Sequence, residues 1–213
     1  MELDFYYTTT ACSLASHIGL EEAGAPFNAH FVKLYRDEEK AAYRQIVPTG
    51  KVPALRVDGA VITENVAILT FLAQAFPESR LLPEDPVLAA QGMALMSWFA
   101  STVHIDRRQA RVPSRFAEDE ATHAALGADG AARFLADMRQ LDAMLDGRDW
   151  LVGDRFSAAD GYALIFWAWA LADGQPVAEL PNVAAHAERV MARPAVQRAL
   201  QRERHPLLQG ASA

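Results

Sequence analysis

The spacing of apolar positions changes partway along the chain, and the change divides it in two. Leu3, Phe5 and Tyr7 alternate with Glu2, Asp4 and Tyr6, a period of two that predicts a first strand. Ser13 to Glu22 follows helical spacing, with Leu14, Ala15 and Ile18 toward one side, and is closed by Gly24-Ala25-Pro26. Ala29 to Leu34 reads as a second strand and Asp37 to Gln45 as a charged, exposed helix. Val52 to Val57 and Ala60 to Thr63 form a hairpin about Asp58-Gly59, a dipeptide suited to a tight turn. Asn65 to Ala75, apolar at Val66, Ile68, Leu69 and Leu72, predicts a helix packed on the sheet. The order β-α-β-α-β-β-α over residues 1–76 is that of a small α/β layer.

Residues 77–86 hold three prolines and read as a linker. From Val87 the pattern is helical over residues 87–204, with breaks expected near Gly127 to Gly130, Gly147 to Phe156, Gly174 to Pro181 and Arg193-Pro194. Those breaks divide an all-helical second domain into about five helices. Residues 205–213 are small and polar and read as a frayed tail.

Composition narrows the function classes. A formal net charge of -7 argues against a general nucleic-acid binder, which needs a basic surface for phosphate. No run of 18 apolar residues occurs, so no membrane span is expected. The acidic N-terminus lacks the basic and apolar regions of a secretory signal, and a cytoplasmic protein is the simplest expectation. Cys12 is the single cysteine, which excludes an internal disulfide and a CxxC redox pair.

Four places could carry chemistry. Val52-Pro53, delivered by the Thr49-Gly50-Lys51 turn, could present a free backbone edge to an extended ligand if its bond is cis. An ordinary trans proline at an edge strand is the commoner outcome. Glu64-Asn65 opens a helix whose free N–H groups attract an anion, while Glu64 could take a ligand ammonium or simply complement the helix dipole. Cys12 stands where a loop turns into the first helix, a position that lowers a thiol pKa, although a small buried filler fits equally well. Ser13 and Thr10 could donate to a ligand sulfur. His104 shares a helical face with Arg108 and Arg111, at spacings of 4 and 7, which reads either as a cleft wall or as a solvated basic stripe. Ser157-Ala158-Ala159-Asp160 is a capping box ahead of the apolar run Tyr162 to Leu171, a structural device. Trp167 and Trp169 lie within that run and read as core.

In their order along the chain, these motifs resemble the glutathione S-transferase family from about Leu3 to Arg204. The resemblance implies an α/β thioredoxin-like N-terminal domain followed by an all-α C-terminal domain. It identifies Val52-Pro53 with the family's cis-proline, Glu64-Asn65 with the pair that binds the γ-glutamyl end of glutathione, and Phe156 to Asp160 with the N-capping motif of the helical domain. Cys12 and His104 look most like the bacterial beta class, whose cysteine can hold glutathione as a mixed disulfide. Thr9-Thr10 stands where that class usually shows Pro-Gly, Ile105 where it has a lysine, and Gly161 where a larger apolar residue often packs on Phe156, which implies a weakened staple.

The expected function is transfer of glutathione, as co-substrate, to a small electrophile, with thiol–disulfide exchange through Cys12 as a second activity and no metal. The expected catalytic residues are Cys12, Ser13 and His104. The expected glutathione contacts are Thr10, Lys51, Val52, Pro53, Glu64 and Asn65, and the expected electrophile cleft is Tyr7, Arg108 and Arg111. The resemblance also implies a homodimer. The alternatives are a non-enzymatic binding or interaction protein on the same fold, since fold does not fix function, and a glutathione-dependent reductase or isomerase.

Overall fold

The computed structural model describes residues 1–210; residues 211–213, the end of the expected tail, lie outside the described residues. The first domain runs β1 (Leu3–Tyr7), α1 (Ser13–Glu22), β2 (Asn28–Phe31), α2 (Asp37–Arg44), β3 (Ala54–Val57), β4 (Ala60–Thr63) and α3 (Asn65–Ala75). Its four strands lie in the order β2-β1-β3-β4. The β1–β2 pair is parallel, and β1–β3 and β3–β4 are antiparallel. The β3–β4 turn is the expected one: Asp58 and Gly59 both take positive φ, as a two-residue hairpin of this kind requires.

Strand β1 is buried on both faces, which its alternation did not suggest. Leu3, Phe5 and Tyr7 enter the main core, while Tyr6 packs with Val32, Tyr43, Val47 and Ala54 in a second, smaller one.

The second domain contains α4 (Pro86–Trp98), a π-helical stretch (Phe99–Val103), α5 (His104–Arg111), α6 (His123–Met144), α7 (Ala158–Ala172), α8 (Pro181–Met191), α9 (Pro194–Glu203) and α10 (Leu207–Gly210). Seven α-helices in this domain, among the described residues, exceed the five expected. Two expectations fail for the same reason, close helix approach. No break occurs at Gly127 to Gly130, because α6 runs straight through it. A Cβ on Gly130 would stand 2.6 Å from the Ala110 N and 2.8 Å from the Asp106 O, so this glycine lets the α5 backbone rest on α6. Gly161 is likewise no weakened staple. A Cβ there would meet Ile18 at 2.9 Å and Phe156 at 3.3 Å, so its absence lets α1 dock on α7. The tail also departs from expectation: His205 and Leu207 are buried, and α10 closes the described chain.

The capping box ahead of α7 forms, and Asp160 does more than cap. Its carboxylate also accepts from the Leu151 N–H at 2.8 Å and pairs with His186 at 2.8 Å.

Helix α1 joins the domains. Every residue from Ser13 to Glu21 is buried, so the helix has no solvent face. Gly19 admits Leu69 of α3 on one side, where a Cβ would sit 2.4 Å from the leucine methyl. On the other side Glu21 binds Arg198 and Arg202, and Glu22 receives a two-pronged contact from Arg193 at 2.6 and 2.9 Å. Within this interface His17 Nδ1 lies 2.9 Å from Glu203 Oε1, with neither side chain exposed. Burial pushes the Glu203 carboxyl well above the usual carboxylate range and the His17 imidazole well below its own. No helix among the described residues is long and apolar enough to cross a membrane.

Two stability predictions follow from these contacts. Gly130→Ala should destabilise the fold by about 1–3 kcal/mol, because its methyl meets backbone that cannot rotate away; chemical denaturation measures this. The His17–Glu203 pair holds one proton when folded. The unfolded chain holds none on these two groups above the ordinary histidine pKa of 6.5. Stability should therefore fall as pH rises above 6.5, toward a slope of about 1.4 kcal/mol per pH unit. Glu203→Gln, which cannot lose a proton, should flatten that slope, and an unchanged slope would show that the pair does not hold it.

Candidate active site at the domain cleft

The loop from β1 into α1 is held at several points. The Thr8 hydroxyl donates to the Val32 carbonyl at 2.6 Å. The Thr9 hydroxyl donates to the Glu203 carbonyl at 3.0 Å, and the Trp169 indole N–H donates to the Thr10 carbonyl at 2.8 Å. The last two anchors come from the second domain. Thr10 has φ +63°, a left-handed conformation in which this strongly bent loop delivers Cys12 to the N-cap of α1.

Cys12 differs from expectation in its acidity. Its S–H points to the Val52 carbonyl, 3.6 Å away, and Asn65 Nδ2 donates to the Cys12 carbonyl at 3.1 Å. Loss of solvent around the sulfur pushes the thiol up to about 11, against the opposing effects of the Arg108 charge and Asn65. The helix start does not overcome this, because the Leu14 and Ala15 amides are already spent on the Ala11 and Cys12 carbonyls. Cys12 is thus a protonated donor at neutral pH. Ser13 is also displaced from its expected role. It is fully buried, and its hydroxyl donates to the Thr8 carbonyl and accepts from the Thr8 N–H, which fixes the loop and leaves nothing for a ligand.

The opposite wall of the cleft is backbone. Val52-Pro53 is cis, against the commoner trans outcome for such a bond. The Val52 N–H has no partner among the described residues, and its carbonyl receives only the Cys12 thiol there. The adjacent Lys51 carbonyl accepts from the Tyr43 hydroxyl at 2.8 Å, while the Lys51 side chain is exposed. Glu64 sits at φ +71°, ψ 129°, at the N-cap of α3, with its carboxylate exposed and making no cap. A non-glycine residue held there costs about 1–3 kcal/mol, and such outliers concentrate at functional sites. Asn65 is buried. Its side-chain amide bridges α1 and α3 by accepting from Ser16 at 2.6 Å and donating to the Cys12 carbonyl at 3.1 Å.

The second domain contributes charge. His104 follows the π-helical stretch, with its ring 5.0 Å from that of Trp169 and Nε2 3.2 Å from an Arg108 nitrogen. Burial, then the charges of Arg108, Arg107 and Lys51, pull its pKa down to about 4, so it is neutral and accepts from Arg108. Arg108 of the second domain lowers the Cys12 thiol pKa and Lys51 of the first lowers that of His104, so each domain's charge acts on the other.

Two expected cleft residues are elsewhere. Arg111 turns to Asp173 at 3.6 Å, beside Arg107, which grips the same carboxylate at 2.7 and 3.0 Å. Tyr7 is buried in the core against Phe5, His17 and Phe31, because its place in β1 directs it onto α1. Two residues were missed. Trp169 both anchors the Thr10 loop and packs at a tilt against the His104 ring. Tyr162 is buried, and burial pushes its phenol up, with the Cys12 charge adding to the rise and Asn65 opposing it. Both lie in an apolar run, and their polar atoms were the one sign that they differ from their neighbours.

Comparison with known proteins bears on the family and the fold. A model of the glutathione S-transferase N-terminal domain matches residues 11–75, and one of the C-terminal domain matches residues 120–194. A glutathione S-transferase of Escherichia coli is 31% identical over 205 residues, covering 94% of this chain and 98% of the relative. Among solved structures, a glutathione transferase homologue from Sulfitobacter with bound glutathione superposes with a TM-score of 0.88 at 28% identity, covering 94% of this chain and 98% of that one. The bacterial beta-class enzyme of Sphingomonas chungbukensis gives a TM-score of 0.83 at 29% identity, with the same coverage. A thioredoxin-like domain followed by a helical domain agrees with these matches along nearly the whole chain, which belongs to the glutathione S-transferase family and is like its bacterial beta class.

Proposed function

We propose that this glutathione S-transferase conjugates the glutathione thiolate to a small electrophile, in the cytoplasm and as a homodimer. The observation that carries the reading is the convergence of a free backbone edge at Val52 and the open helix start at Glu64-Asn65 on one cysteine, Cys12. In this reading the Val52 N–H and C=O pair with the cysteinyl backbone of glutathione as an added strand would. The γ-glutamyl carboxylate rests on the first amides of α3, and Glu64 receives the ammonium. Lys51 and Thr10, at the rim, border the rest of the tripeptide.

Cys12 then acts as a donor. Once the ligand occupies the Val52 carbonyl, the Cys12 S–H is free to turn to the glutathione sulfur. A hydrogen bond to a thiolate, with Arg108 nearby as a positive charge, stabilises that thiolate by about 1.5–3 kcal/mol. Neutral His104 orients Arg108 through its acceptor nitrogen. The same proximity of Cys12 to the glutathione sulfur supports thiol–disulfide exchange as a second activity. Support for a dimer comes from α4. It is apolar, yet only Gly92 and Met96 are buried, and Val87 and Met93 are exposed for a second copy to cover.

The test is retention on immobilised glutathione together with turnover of an aromatic halide. Retention and turnover are expected. Cys12→Ala should keep retention but lower kcat/KM roughly tenfold or more, and remove any mixed disulfide seen by mass. Retention without turnover in the unsubstituted protein would instead identify a carrier. A second prediction concerns Arg108, the arginine that does reach the cleft. Arg108→Ala should raise KM for an acidic electrophile at least several-fold more than for a neutral one of similar size, and equal effects would remove Arg108 from electrophile recognition.

A further inference from the structure

Helix α5 does two things on two faces. His104 and Arg108, four residues apart and hydrogen-bonded to each other, share one face. Asp106 and Ala110 share the opposite face, which rests on α6 where Gly130 lets the two backbones meet. The seating of α5 on α6 at Asp106 therefore also sets where His104 and Arg108 stand in the cleft.

The side chains along that contact form a polar network. Arg133 of α6 reaches Asp106 at 3.0 Å and donates to Gln109 Oε1 at 2.7 Å, and Gln109 donates to the Leu126 carbonyl at 3.1 Å. One turn beyond Arg133, Asp137 is buried, and the side chain within hydrogen-bonding reach of it is a second carboxyl, Asp106. Asp137 Oδ2 is buried and has no hydrogen-bond partner among the described residues. Two facing carboxylates repel, and one proton held between them turns that repulsion into a hydrogen bond. Burial, then the Asp106 charge and the hydrogen bond to it, push the Asp137 carboxyl up to about 7, against the pull of Arg133. The other charged groups around α6 are held elsewhere. Asp142 binds Asn182 and Val183 of α8, His186 of α8 pairs with Asp160, and Arg139 pairs with Glu179. Asp129 pairs with Arg133, Asp119 caps the turn ahead of α6, and Arg107 of α5 grips Asp173.

We propose that Asp137 is a positioning residue for the transfer reaction: its protonated carboxyl donates to Asp106, seats α5 on α6 and so holds Arg108 and His104 at the cleft. When the proton leaves, two carboxylates oppose each other across the contact, and α5 shifts against the Arg133 tie with both cleft residues on it. This role rests on the reading of Arg108 as the group that meets the electrophile. The folded protein keeps this proton at pH values where an ordinary aspartate, with a pKa of 3.8, has lost it. The tie is therefore complete well below pH 7 and is lost as pH rises through about 7.

The test compares KM for an acidic and a neutral electrophile of similar size as a function of pH. Their ratio cancels the ionisation of the glutathione thiol, which both reactions share. The preference for the acidic electrophile should fall several-fold as pH rises through about 7. Asp137→Asn, whose amide donates to Asp106 and does not titrate, should keep the preference and make it flat with pH. Asp106→Asn, which removes the opposing charge, should flatten it as well. The seating of α5 is read separately by hydrogen exchange of its backbone amides. Above pH 7 these should exchange faster in the unsubstituted protein than in Asp137→Asn, and below it at the same rate. A flat preference in the unsubstituted protein, while Arg108→Ala still removes that preference, would overturn the role of Asp137 and leave the reading of Arg108 standing. No effect of Arg108→Ala would overturn that reading and the role in transfer with it. Equal α5 exchange in the two proteins at every pH would overturn the seating itself.

Discussion

The complete burial of α1 is the constraint on which the rest of the structure depends. A helix with no solvent face needs packing partners on every side, and one small domain cannot supply them. The sheet and α3 cover part of it, through Gly19, and α7 and α9 cover the remainder, through Gly161 and the arginines that meet Glu21 and Glu22. The two domains therefore share one main core. Polar residues on the helix must find partners inside that core, as Ser16 does with Asn65 and His17 with Glu203. Cys12 sits at the end of this helix, so the thiol is placed at the domain junction by the same packing.

The cleft divides its work between the domains for a physical reason. Backbone groups of the first domain are set by local conformation at Val52-Pro53 and Glu64, and they suit recognition of a peptide-like ligand regardless of its side chains. The second domain contributes Arg108 and His104, His104 packed at a tilt against Trp169 and Arg108 hydrogen-bonded to His104. Trp169 also ties down the loop before Cys12, so the backbone wall and the charged wall are mechanically joined. The loss of solvent that keeps Cys12 protonated follows from this closure, and it makes the residue a donor in the ligand-free cleft.

The elements of the first domain, the Asp58-Gly59 turn and the capping box at Ser157 to Asp160 were legible because each is governed by neighbours in sequence: side-chain periodicity, turn chemistry and reciprocal capping. The order of Val52-Pro53, Glu64-Asn65 and the capping motif beyond the linker is legible for the same reason and indicates the family, while Cys12 and His104 point to its bacterial beta class. What the chain could not show by itself were the consequences of distant residues meeting. Gly130 reads as a helix break along the chain but carries the α5 backbone, and Gly161 reads as a weakened staple but gives its space to Ile18. Tyr7 and Arg111 were assigned to the cleft, but the pleat of β1 and the carboxylate of Asp173 draw them elsewhere. Ser13 and Trp169 exchanged roles, one absorbed by its own loop and the other brought from the far domain to the site. Local conformation depends on the nearest few residues and can be read along the chain. Desolvation, ion pairing and close approach depend on which surfaces share a core, and only the packing of both domains around α1 decides that.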